Sequence, residues 1–483
     1  MKKLLCLLLA VVMLLGLCAC GGSEGNGQKG EGTANETAGG ENAAPKEQLQ
    51  IGFGKVNITP NYSVGLAASG TEKNRRSTGL KSYIYATCIA VKYAEETYLL
   101  FTVDVLEMSD GMMDNLRIEI TSEFPELKKE NIFFGATHTH SAPSTIYGDD
   151  SPEGRYRTDF MGYMPQAAKI ALQDLAPATM EACKFELEGM NWVRHYLMND
   201  GTYAGSNFGD TSSGYKEHTY DVNHEMIFVN FPREGKEDVL LVNWAAHPAN
   251  PYDEAIGLLN ISADHPGWCR DELEKLTGAK VAYFNGASGD VVMRSAIDEL
   301  NHGLNAQEYG VKLAQMAYEH YDELKPVEVD AVKSAGMDVT VNVEHEGEHL
   351  LMQCMEIANL KNDGQKALAD EMALELGLSS SYHAAVIAAR ARLGATQTRN
   401  INVLRIGPVS FTTGTYEMAS EHAAELKAAS PFEFTFQICG NNRYIPREEA
   451  IDYKSYEGTT RFYTRETGDM MVQKYLEMLN SIK

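Results

Sequence analysis

Strand-like and helix-like segments alternate along the chain from Leu49 to Lys483, and short connections join them. This alternation predicts an α/β layer architecture, with strands and helices at the following positions. Strand character is present at 50–58, 83–92, 98–105, 131–136, 225–231, 239–244, 280–284, 402–406 and 432–439. Helical periodicity is present at about 111–124, 160–176, 267–276, 306–324, 365–393, 416–429 and 469–479. The close spacing of 83–92 and 98–105 predicts a hairpin, so we expect mixed β-sheets flanked by helices.

The first 20 residues have the pattern of a bacterial lipoprotein signal peptide. Lys2 and Lys3 precede an apolar run that ends in LCACG at 17–21. This run is too short for a lasting membrane span. A small residue directly before Cys20 predicts cleavage at that point and attachment of lipid to the Cys20 thiol. We therefore expect an exported protein of the cell envelope that is anchored to the membrane through Cys20, with an ordinary cleaved signal as the alternative.

Residues 21–48 consist mostly of Gly, Glu, Asn, Ala and Thr and contain no large apolar side chain. Such a segment cannot bury enough surface to offset the entropy of ordering it, so it is predicted to be a flexible linker. The remainder, 49–483, contains no second low-complexity segment and no repeat, which favours one large domain. The net charge of −25 makes nucleic acid an improbable partner.

The cysteines do not indicate a disulfide framework. Of eight in the chain, three lie in the first 20 residues, and the other five are scattered and form no C-x-x-C pair. Most stand in apolar surroundings, as buried thiols do. One or two bridges remain an open alternative for an exported protein.

Histidines follow two of the predicted strands. His138 and His140 come just after 131–136, and His247 comes just after 239–244. Residues at i and i+2 of a strand point to the same side, and imidazole is the commonest neutral metal ligand. The pattern predicts a metal site at these strand ends. The alternative for each histidine is a structural residue with a satisfied hydrogen bond.

Two oxygen-bearing side chains stand in similar places. Glu417 lies at a strand–turn–helix transition, and Tyr444 follows the predicted strand 432–439. Strand ends that converge on one cleft are the usual location of a site in open α/β sheets. Glu421 competes with Glu417 because it lies one helical turn further along the same face, but Glu417 is preferred for its position at the turn.

The string HEGEH at 345–349 matches the H-E-x-x-H zinc-protease motif letter for letter. That motif works only on a helix, where the two histidines share a face. Residues 339–343 alternate like a strand, and Gly347 lowers helix propensity. We predict a loop or hairpin tip here rather than a metal site.

Several motifs together resemble the neutral/alkaline non-lysosomal ceramidase family, in its catalytic N-terminal domain. In chain order they are GKVNITP at 54–60, ATHTHSAP at 136–143, RHYLMNDG at 194–201, NWAAHP at 243–248, ISADHPG at 261–267, NGASGD at 285–290, SPF at 430–432, YIP at 444–446 and YEG at 456–458. They span nearly all of the predicted domain, so the resemblance implies a single large ceramidase-like catalytic domain over 49–483.

The resemblance implies one catalytic zinc ion, held by His138, His247, Glu417 and Tyr444. It also implies that His140, Arg194 and Tyr456 position the substrate or stabilise the transition state. Bound zinc lowers the pKa of its water to about 7 and polarises a carbonyl group. Asp104 and Asp264 are candidates for orienting the ligating histidines. Surface ion pairing by Arg194 and core packing by the two tyrosines are the alternatives.

Three departures from the family bear on the substrate and the mechanism. Val292 stands where ceramidases carry a serine, which favours a zinc-activated water over a serine nucleophile. Thr415 and Tyr416 replace a Pro-Gly pair, and the chain ends near the expected end of the catalytic domain, without room for an immunoglobulin-like module.

The sequence therefore predicts an exported zinc-dependent amidohydrolase that cleaves an N-acyl C–N bond in a lipid or a related conjugate. Two alternatives stay open at this point. One is hydrolysis of a different amide or ester, such as a conjugate derived from the cell wall or a sugar. The other is a substrate-binding lipoprotein that kept the fold and lost catalysis.

Overall fold

The computed structural model describes residues 48–67, 75–146, 148–205, 207–249, 259–297, 300–440 and 443–483. These residues belong to one compact unit, Glu47–Lys483. The predicted signal peptide, Cys20 and all but the last residue of the predicted linker lie outside the described residues. Among the helices that are described, none combines the length and the apolar character needed to cross a membrane.

The strands alternate with helices, as the sequence predicts. They are β1 (Gln50–Asn57), β2 (Gly79–Leu80), β3 (Tyr85–Tyr93), β4 (Glu96–Val103), β5 (Ile132–Ala136), β6 (Ala176–Pro177), β7 (Glu181–Glu186), β8 (Trp192–Val193), β9 (His195–Met198), β10 (Tyr203–Gly205), β11 (Tyr215–His218), β12 (Glu225–Phe231), β13 (Val239–Trp244), β14 (Asn260–Ile261), β15 (Lys280–Asn285), β16 (Val291–Val292), β17 (Lys325–Pro326), β18 (Val332–Asn342), β19 (Thr396–Ile406), β20 (Val409–Thr413), β21 (Glu417–Met418), β22 (Phe434–Ile438) and β23 (Tyr444–Ile445).

The helices cover the outer faces of the sheets or form a separate group. They are α1 (Asp110–Glu123), α2 (Pro152–Gln173), α3 (Asp264–Thr277), α4 (Ala306–Tyr318), α5 (Glu348–Asn362), α6 (Lys366–Glu375), α7 (Ser381–Arg390), α8 (Ser420–Ala429), α9 (Glu448–Asp452), α10 (Tyr456–Thr460) and α11 (Thr467–Ser481). Short 3-10 turns occupy Lys129–Asn131 and Tyr321–Glu323.

Three large mixed sheets form the framework. The first has the order β5-β4-β3-β1-β6, the second β15-β13-β12-β7-β17 and the third β18-β19-β20-β22. Each contains one parallel pair: β4 with β5, β13 with β15, and β20 with β22. The predicted hairpin is present as the antiparallel pair β3–β4. The predicted α/β class with mixed, helix-flanked sheets is therefore confirmed.

The inner faces of the large sheets share one apolar core, because alternate strand residues point to opposite faces. The opposite faces pack against helices: α1 and α2 on the first sheet, α3 and α4 on the second, and α8 and α11 on the third. Representative side chains of the shared core are Ile51, Leu100 and Phe133 from the first sheet, Ile227, Leu241 and Phe284 from the second, and Leu404, Phe411 and Phe436 from the third.

Two glycines of β1 explain why α2 packs so closely on the first sheet. A Cβ atom at Gly52 would lie 2.0 Å from the carbonyl oxygen of Ala171, and one at Gly54 would lie 2.1 Å from that of Ala167. Any larger residue would therefore push the helix away from the strand. The glycine in the GKVNITP motif thus has a packing role.

Some predicted helices differ from the structure in extent. The predicted helix at 365–393 is two helices, α6 and α7, because the chain turns at Gly377, which has a left-handed φ of 74°. The predicted helix at 416–429 begins only at Ser420, and Glu417 lies in the short strand β21 instead. Helix α2 starts eight residues earlier than its predicted start at 160, since Ser151 caps its N-terminus.

The HEGEH string straddles a loop and a helix start. His345 precedes the helix, and its Nε2 atom lies 3.4 Å from the carbonyl oxygen of Gly394. Glu346 pairs with Arg390, and His349 lies in the first turn of α5. The prediction that the string is not a helical zinc motif holds, but it leads into a helix rather than a hairpin.

The cysteines of the described region are buried. They are Cys88, Cys183, Cys269, Cys354 and Cys439, and the first four of them are free thiols. Burial raises the pKa of the Cys183 thiol to about 12, which keeps that thiol in its unreactive protonated form. The four free thiols agree with the expectation that the chain has no disulfide framework.

Candidate metal centre

The large sheets meet at the C-terminal ends of β5, β15 and β22. The backbone N–H of Ala136 donates to the carbonyl oxygen of Cys439 (3.0 Å), and the N–H of Cys439 donates to that of Asn285 (2.9 Å). These bonds tie one strand end from each sheet to the others. Side chains that follow these strands are therefore directed into a common space.

The structure brings the predicted histidines into that space. The ring centroids of His138, His140 and His247 are 4.8–5.2 Å apart. The Nε2 atoms of His140 and His247 are 2.9 Å apart. One ligating nitrogen from each ring lies within 4.8 Å of the others, so the group can hold a metal ion.

Backbone carbonyls orient two of these rings. The Nδ1–H of His138 donates to the carbonyl oxygen of Leu106 (2.9 Å), and that of His247 donates to the carbonyl oxygen of Ser288 (3.0 Å). A carbonyl only accepts, so each Nδ1 carries the proton and each Nε2 keeps its lone pair for a ligand.

The carboxylates proposed for this orienting role are engaged elsewhere. Asp104 accepts hydrogen bonds from Arg270 (2.9 Å) and the backbone N–H of Tyr85 (2.9 Å). Asp264 accepts from the backbone N–H of His265 (2.6 Å). For His138 and His247, the described contacts assign the orienting role to main-chain carbonyl oxygens, which have no signature in the sequence.

His138 adopts a backbone conformation that non-glycine residues rarely take. Its φ is 66°, and its N–H donates to the carbonyl oxygen of Val105 (3.0 Å). Left-handed geometry in a side-chain-bearing residue costs of order 1 kcal/mol and clusters at functional sites. The turn directs the imidazole inward immediately after β5.

Glu417 faces the histidines. Its Oε2 atom lies 3.3 Å from Nε2 of His138 and 3.8 Å from Nδ1 of His247. The side chain is fully buried, and among the described residues neither carboxylate oxygen has a hydrogen-bond partner; nor does Nε2 of His138. Burial raises the pKa of Glu417 well above its ordinary value and lowers the pKa of His138 to about 4.

A buried carboxylate and a buried imidazole lone pair that face each other are destabilising unless a proton or a metal ion lies between them. The donor set of nitrogen and oxygen atoms is the kind that zinc and other divalent transition metals bind. The residues present thus fit a metal ion.

Tyr444 reaches the same place through strand pairing. The short strands β21 and β23 run parallel, and Glu417 is the register partner of Tyr444. The Tyr444 hydroxyl accepts a hydrogen bond from Nη2 of Arg194 (3.4 Å). Glu417 and Tyr444, the two oxygen-bearing candidate ligands, are therefore held next to each other by the pairing of β21 with β23.

Arg194 is buried and held from several sides. Its Nε donates to Oε1 of Glu457 (2.6 Å), and its Nη2 donates to the carbonyl oxygen of Gly289 (2.7 Å). The guanidinium carbon lies 5.9 Å from the ring centre of Tyr444 and 5.7 Å from that of Tyr456. Surface ion pairing, the alternative for Arg194, is thereby excluded.

Glu457, His195 and Tyr453 complete a network that sequence reasoning missed. Oε2 of Glu457 lies 2.6 Å from Nε2 of His195, whose Nδ1 lies 2.8 Å from the Tyr453 hydroxyl. Burial raises the pKa of Glu457, but the charges of Arg194 and His195 outweigh it and hold that pKa well below its usual range. Adjacency was the available signal, since His195 follows Arg194 and Glu457 follows Tyr456 in the motifs.

Tyr456 opens α10 and contacts a tyrosine from another helix. Its ring stacks on that of Tyr382 in α7, with centroids 5.9 Å apart, and meets the ring of Tyr444 edge-on at 5.8 Å. Tyr382 had no motif around it, so sequence reasoning did not single it out. The stacking places α7 beside the candidate centre.

Comparison with known proteins agrees with this architecture. No family profile and no curated protein sequence matches the chain. Among solved structures, neutral ceramidase from Pseudomonas aeruginosa is similar with a TM-score of 0.66 and 14% identity, over 90% of this chain and 74% of that one. A ceramidase complexed with C2 gives a TM-score of 0.64 and 15% identity, over 90% and 75% of the two chains.

This chain has the neutral ceramidase fold. The resemblance seen in the sequence motifs is therefore confirmed at the level of fold. The predicted metal and catalytic assignments of individual residues remain predictions, although the structure gathers all of them around one centre.

The departures from the ceramidase motifs have clear positions within the neutral ceramidase fold. Val292 lies in β16 and pairs with Trp192. Ser288 holds His247 through its carbonyl oxygen, and its hydroxyl accepts from Asn285 (3.0 Å). Tyr416 packs into the apolar core of the third sheet, where its hydroxyl meets that of Tyr475.

Glu421, the competitor of Glu417, lies away from the histidines. Its Oε2 atom is 3.5 Å from Nε of Arg447. The choice of Glu417 over Glu421 for the histidine-facing position agrees with the geometry.

Proposed function

We propose that this protein is an exported zinc-dependent hydrolase that cleaves an amide bond, of the N-acyl type, in a lipid or a related conjugate. One observation carries the proposal: Nε2 of His138 faces Oε2 of Glu417 at 3.3 Å, and neither this nitrogen nor either Glu417 oxygen, all of them buried, has a hydrogen-bond partner in the described region. A divalent cation is what such a group of atoms lacks. The neutral ceramidase fold supports amide hydrolysis as the reaction class.

Two ligand sets are consistent with the geometry. The set implied by the sequence resemblance is His138, His247, Glu417 and Tyr444. The close group of imidazoles offers a second, in which His140 joins His138 and His247. When bound, zinc supplies an acidified water molecule and polarises a substrate carbonyl group.

The surrounding residues supply fixed charge and orientation. Arg194 keeps its positive charge in a buried setting, because Glu457 raises the pKa of the guanidinium against the effect of burial. A fixed cation at this point stabilises negative charge that develops on a carbonyl oxygen. The ring of Tyr456 lies beside the guanidinium of Arg194, and this contact supports a proposed role for Tyr456 in positioning the same group.

His140 is the member of the histidine group with partial solvent exposure. Burial and the neighbouring His138 lower its pKa well below the ordinary value, so the ring is neutral at physiological pH. A neutral imidazole at the edge of the centre can donate or accept one hydrogen bond to an amide substrate. Its proposed role is therefore to orient the scissile group.

Zinc analysis of variants tests the centre. The purified protein should contain about one zinc ion per chain, and His138→Ala or His247→Ala should remove it. His140→Ala distinguishes the two ligand sets. The variant should keep its zinc if the ligands are His138, His247, Glu417 and Tyr444, and it should lose its zinc if His140 is itself a ligand. The matched control is His345→Ala, which should keep the zinc, and loss of zinc from this control but not from His247→Ala would overturn the site.

An activity screen tests the reaction. A fluorescent short-chain ceramide and related N-acyl amides and esters are incubated with the protein, with and without a zinc chelator. Turnover that the chelator abolishes supports the proposal. A fully zinc-loaded protein that turns over none of these substrates would favour the substrate-binding lipoprotein.

Export and anchoring form the remaining part of the proposal. The sequence pattern at 1–21 supports attachment of lipid to Cys20, which would hold the hydrolase at a membrane that contains N-acyl lipids. Labelling of growing cells with radioactive palmitate should mark the protein, and Cys20→Ser should lose the label. A labelled Cys20→Ser variant would contradict the anchor.

A further inference from the structure

A second group of potential metal ligands lies between helices α8 and α11, outside the candidate metal centre. It consists of His422 and Glu425 from α8 and Asp469 from α11. Nδ1 of His422 is 3.6 Å from Oδ1 of Asp469 and 3.9 Å from Oε2 of Glu425. The imidazole is only 2% exposed, whereas the two carboxylates face solvent.

The imidazole has a free lone pair directed at the carboxylates. Nε2 of His422 lies 3.5 Å from the carbonyl oxygen of Pro446, a long hydrogen bond in which the imidazole must be the donor. This leaves Nδ1 without a proton, and in the described region Nδ1 has no hydrogen-bond partner. Burial and the nearby Arg447 lower the pKa of His422, which favours the neutral ring.

The position of the ring is fixed by its packing. A Cβ atom at residue 468 would lie 2.1 Å from Nε2 of His422, so only Gly468 leaves room for the imidazole. Because Asp469 follows Gly468 directly, the close approach also sets the distance between the carboxylate and the ring. The geometry is therefore built into the contact between the two helices.

The spacing of these atoms suits a shared metal ion better than a direct ion pair. A charge-assisted N–H···O bond is about 2.7–2.9 Å long, which is shorter than both observed separations. Two atoms bound to one zinc ion at about 2.1 Å with tetrahedral angles lie about 3.4 Å apart. The separations of 3.6 and 3.9 Å are close to that value.

Arg447 is the charged group that competes with a cation here. Its Nη1 donates to Oε1 of Glu425 (2.5 Å), and its Nε lies 3.5 Å from Glu421. Oε2 of Glu425 and Oδ1 of Asp469 are the oxygens nearest to Nδ1 of the imidazole. The positive charge of the Arg447 guanidinium opposes cation binding at this group. We therefore expect a lower affinity for a metal ion here than at the buried candidate metal centre.

We propose that His422, Glu425 and Asp469 form a second site for a divalent transition metal such as zinc, which links the C-terminal helix α11 to α8. One imidazole and two carboxylates with open positions for water are a typical nitrogen and oxygen donor set for such ions. The site does not rest on the proposed hydrolase activity, and its role is structural.

The test uses the full chain, stripped of metal and titrated with zinc alone. Calorimetry should show two classes of site, and hydrogen–deuterium exchange should slow in 467–481 as the weaker site fills. Asp469→Asn should weaken that site by about tenfold or more, since even loss of an outer-shell partner costs this much. Glu477→Gln, which changes an exposed acid on the same helix, is the matched control.

Two results would overturn the proposal. One is a weaker zinc site that persists unchanged in both Asp469→Asn and Glu425→Gln. The other is zinc saturation with no change of exchange in 467–481. His247→Ala keeps the two proposals separate, because it should remove only the tight site and leave the exchange effect at α11 intact.

Discussion

The candidate metal centre lies beside a network formed by Arg194, Glu457, His195 and Tyr453, which we call the Arg194 network. The two regions differ in how their buried charged groups are paired. In the centre, Glu417 and His138 leave their inward-facing atoms without protein partners. In the network, Glu457 is equally buried, but its oxygens contact Arg194 and His195. We call the Arg194 network the complete region, because protein groups pair its buried charges, and the candidate metal centre the incomplete region, because its inward-facing atoms have no such partner among the described residues.

This difference is visible in the pKa directions of the two carboxylates. Burial raises the pKa of Glu417 well above the ordinary value. The pKa of Glu457 lies well below it, because nearby positive charges outweigh burial. Two buried acids of the same type thus differ in the direction of their pKa shift, because Glu457 has paired positive groups and Glu417 has no hydrogen-bond partner among the described residues.

The largest effect on stability is expected from the complete region. Glu457→Ala leaves the Arg194 charge buried and unpaired, so it should lower the free energy of unfolding by about 3–5 kcal/mol. Urea denaturation followed by circular dichroism measures this change. Glu356→Ala, at an exposed position on α5, is the control, and a loss no larger than in this control would break the contrast between the regions.

The incomplete region should respond in the opposite direction. Glu417→Gln removes a buried acid without a partner, so it should raise the free energy of unfolding of the metal-free protein by about 1–3 kcal/mol. With zinc present at about 1,000 times its Kd, wild type should gain about 4 kcal/mol that the variant lacks. Denaturation with chelator and with zinc gives both numbers, and destabilisation of the metal-free variant would contradict the idea of a missing cation.

The pH dependence of the metal-free protein should also differ between the two acids. The pKa of Glu457 is depressed, so its stabilising contribution is present above the unfolded pKa of about 4.3 and is lost as pH falls below it. The pKa of Glu417 is raised, so its carboxyl group does not lower the free energy of unfolding below about pH 4.3, where it is protonated in both states. As pH rises above this value, the group increasingly destabilises the folded protein.

Unfolding curves between acidic and neutral pH check these signs. The stability difference between wild type and Glu417→Gln should grow in favour of the variant as pH rises. The difference between wild type and Glu457→Gln should shrink as pH falls. Parallel profiles for the two variants would show that the acids share one environment after all.

The smallest effect is expected outside both regions. His345 is exposed and makes one long contact with Gly394. His345→Ala should change the free energy of unfolding by no more than about 0.5 kcal/mol and should leave the zinc content unchanged. Zinc analysis and denaturation of this variant give the baseline for the buried histidines.

Much of the metal centre could be predicted because its residues follow apolar strands. The bounds of β12 and β13 coincide with the predicted runs at 225–231 and 239–244, and His247 stands just beyond the second. The end of a buried strand can be predicted from the sequence, because its run of apolar residues stops there. A polar residue at that point is then placed at a sheet edge without knowledge of the tertiary structure.

The remaining features depend on contacts between distant segments. Arg194 and Glu457 are 263 residues apart, and the Leu106 and Ser288 carbonyls that orient the histidines leave no trace in the side-chain pattern. Helix α5 was not predicted because its first turn contains part of the HEGEH string, whose local context resembles a loop. Tertiary packing decides these elements, so local propensity does not reveal them.

The hydrogen bonds that join β5, β15 and β22 have a consequence for the order of folding. The side chains of the candidate centre lie in segments that follow strands of different large sheets, so a chain in which one sheet has not yet docked would bring together only part of the group. Uptake of the proposed zinc ion would then coincide with the final assembly step, and zinc content would measure the completion of that step. Under the proposed function, a misassembled copy would therefore lack both the metal and the activity.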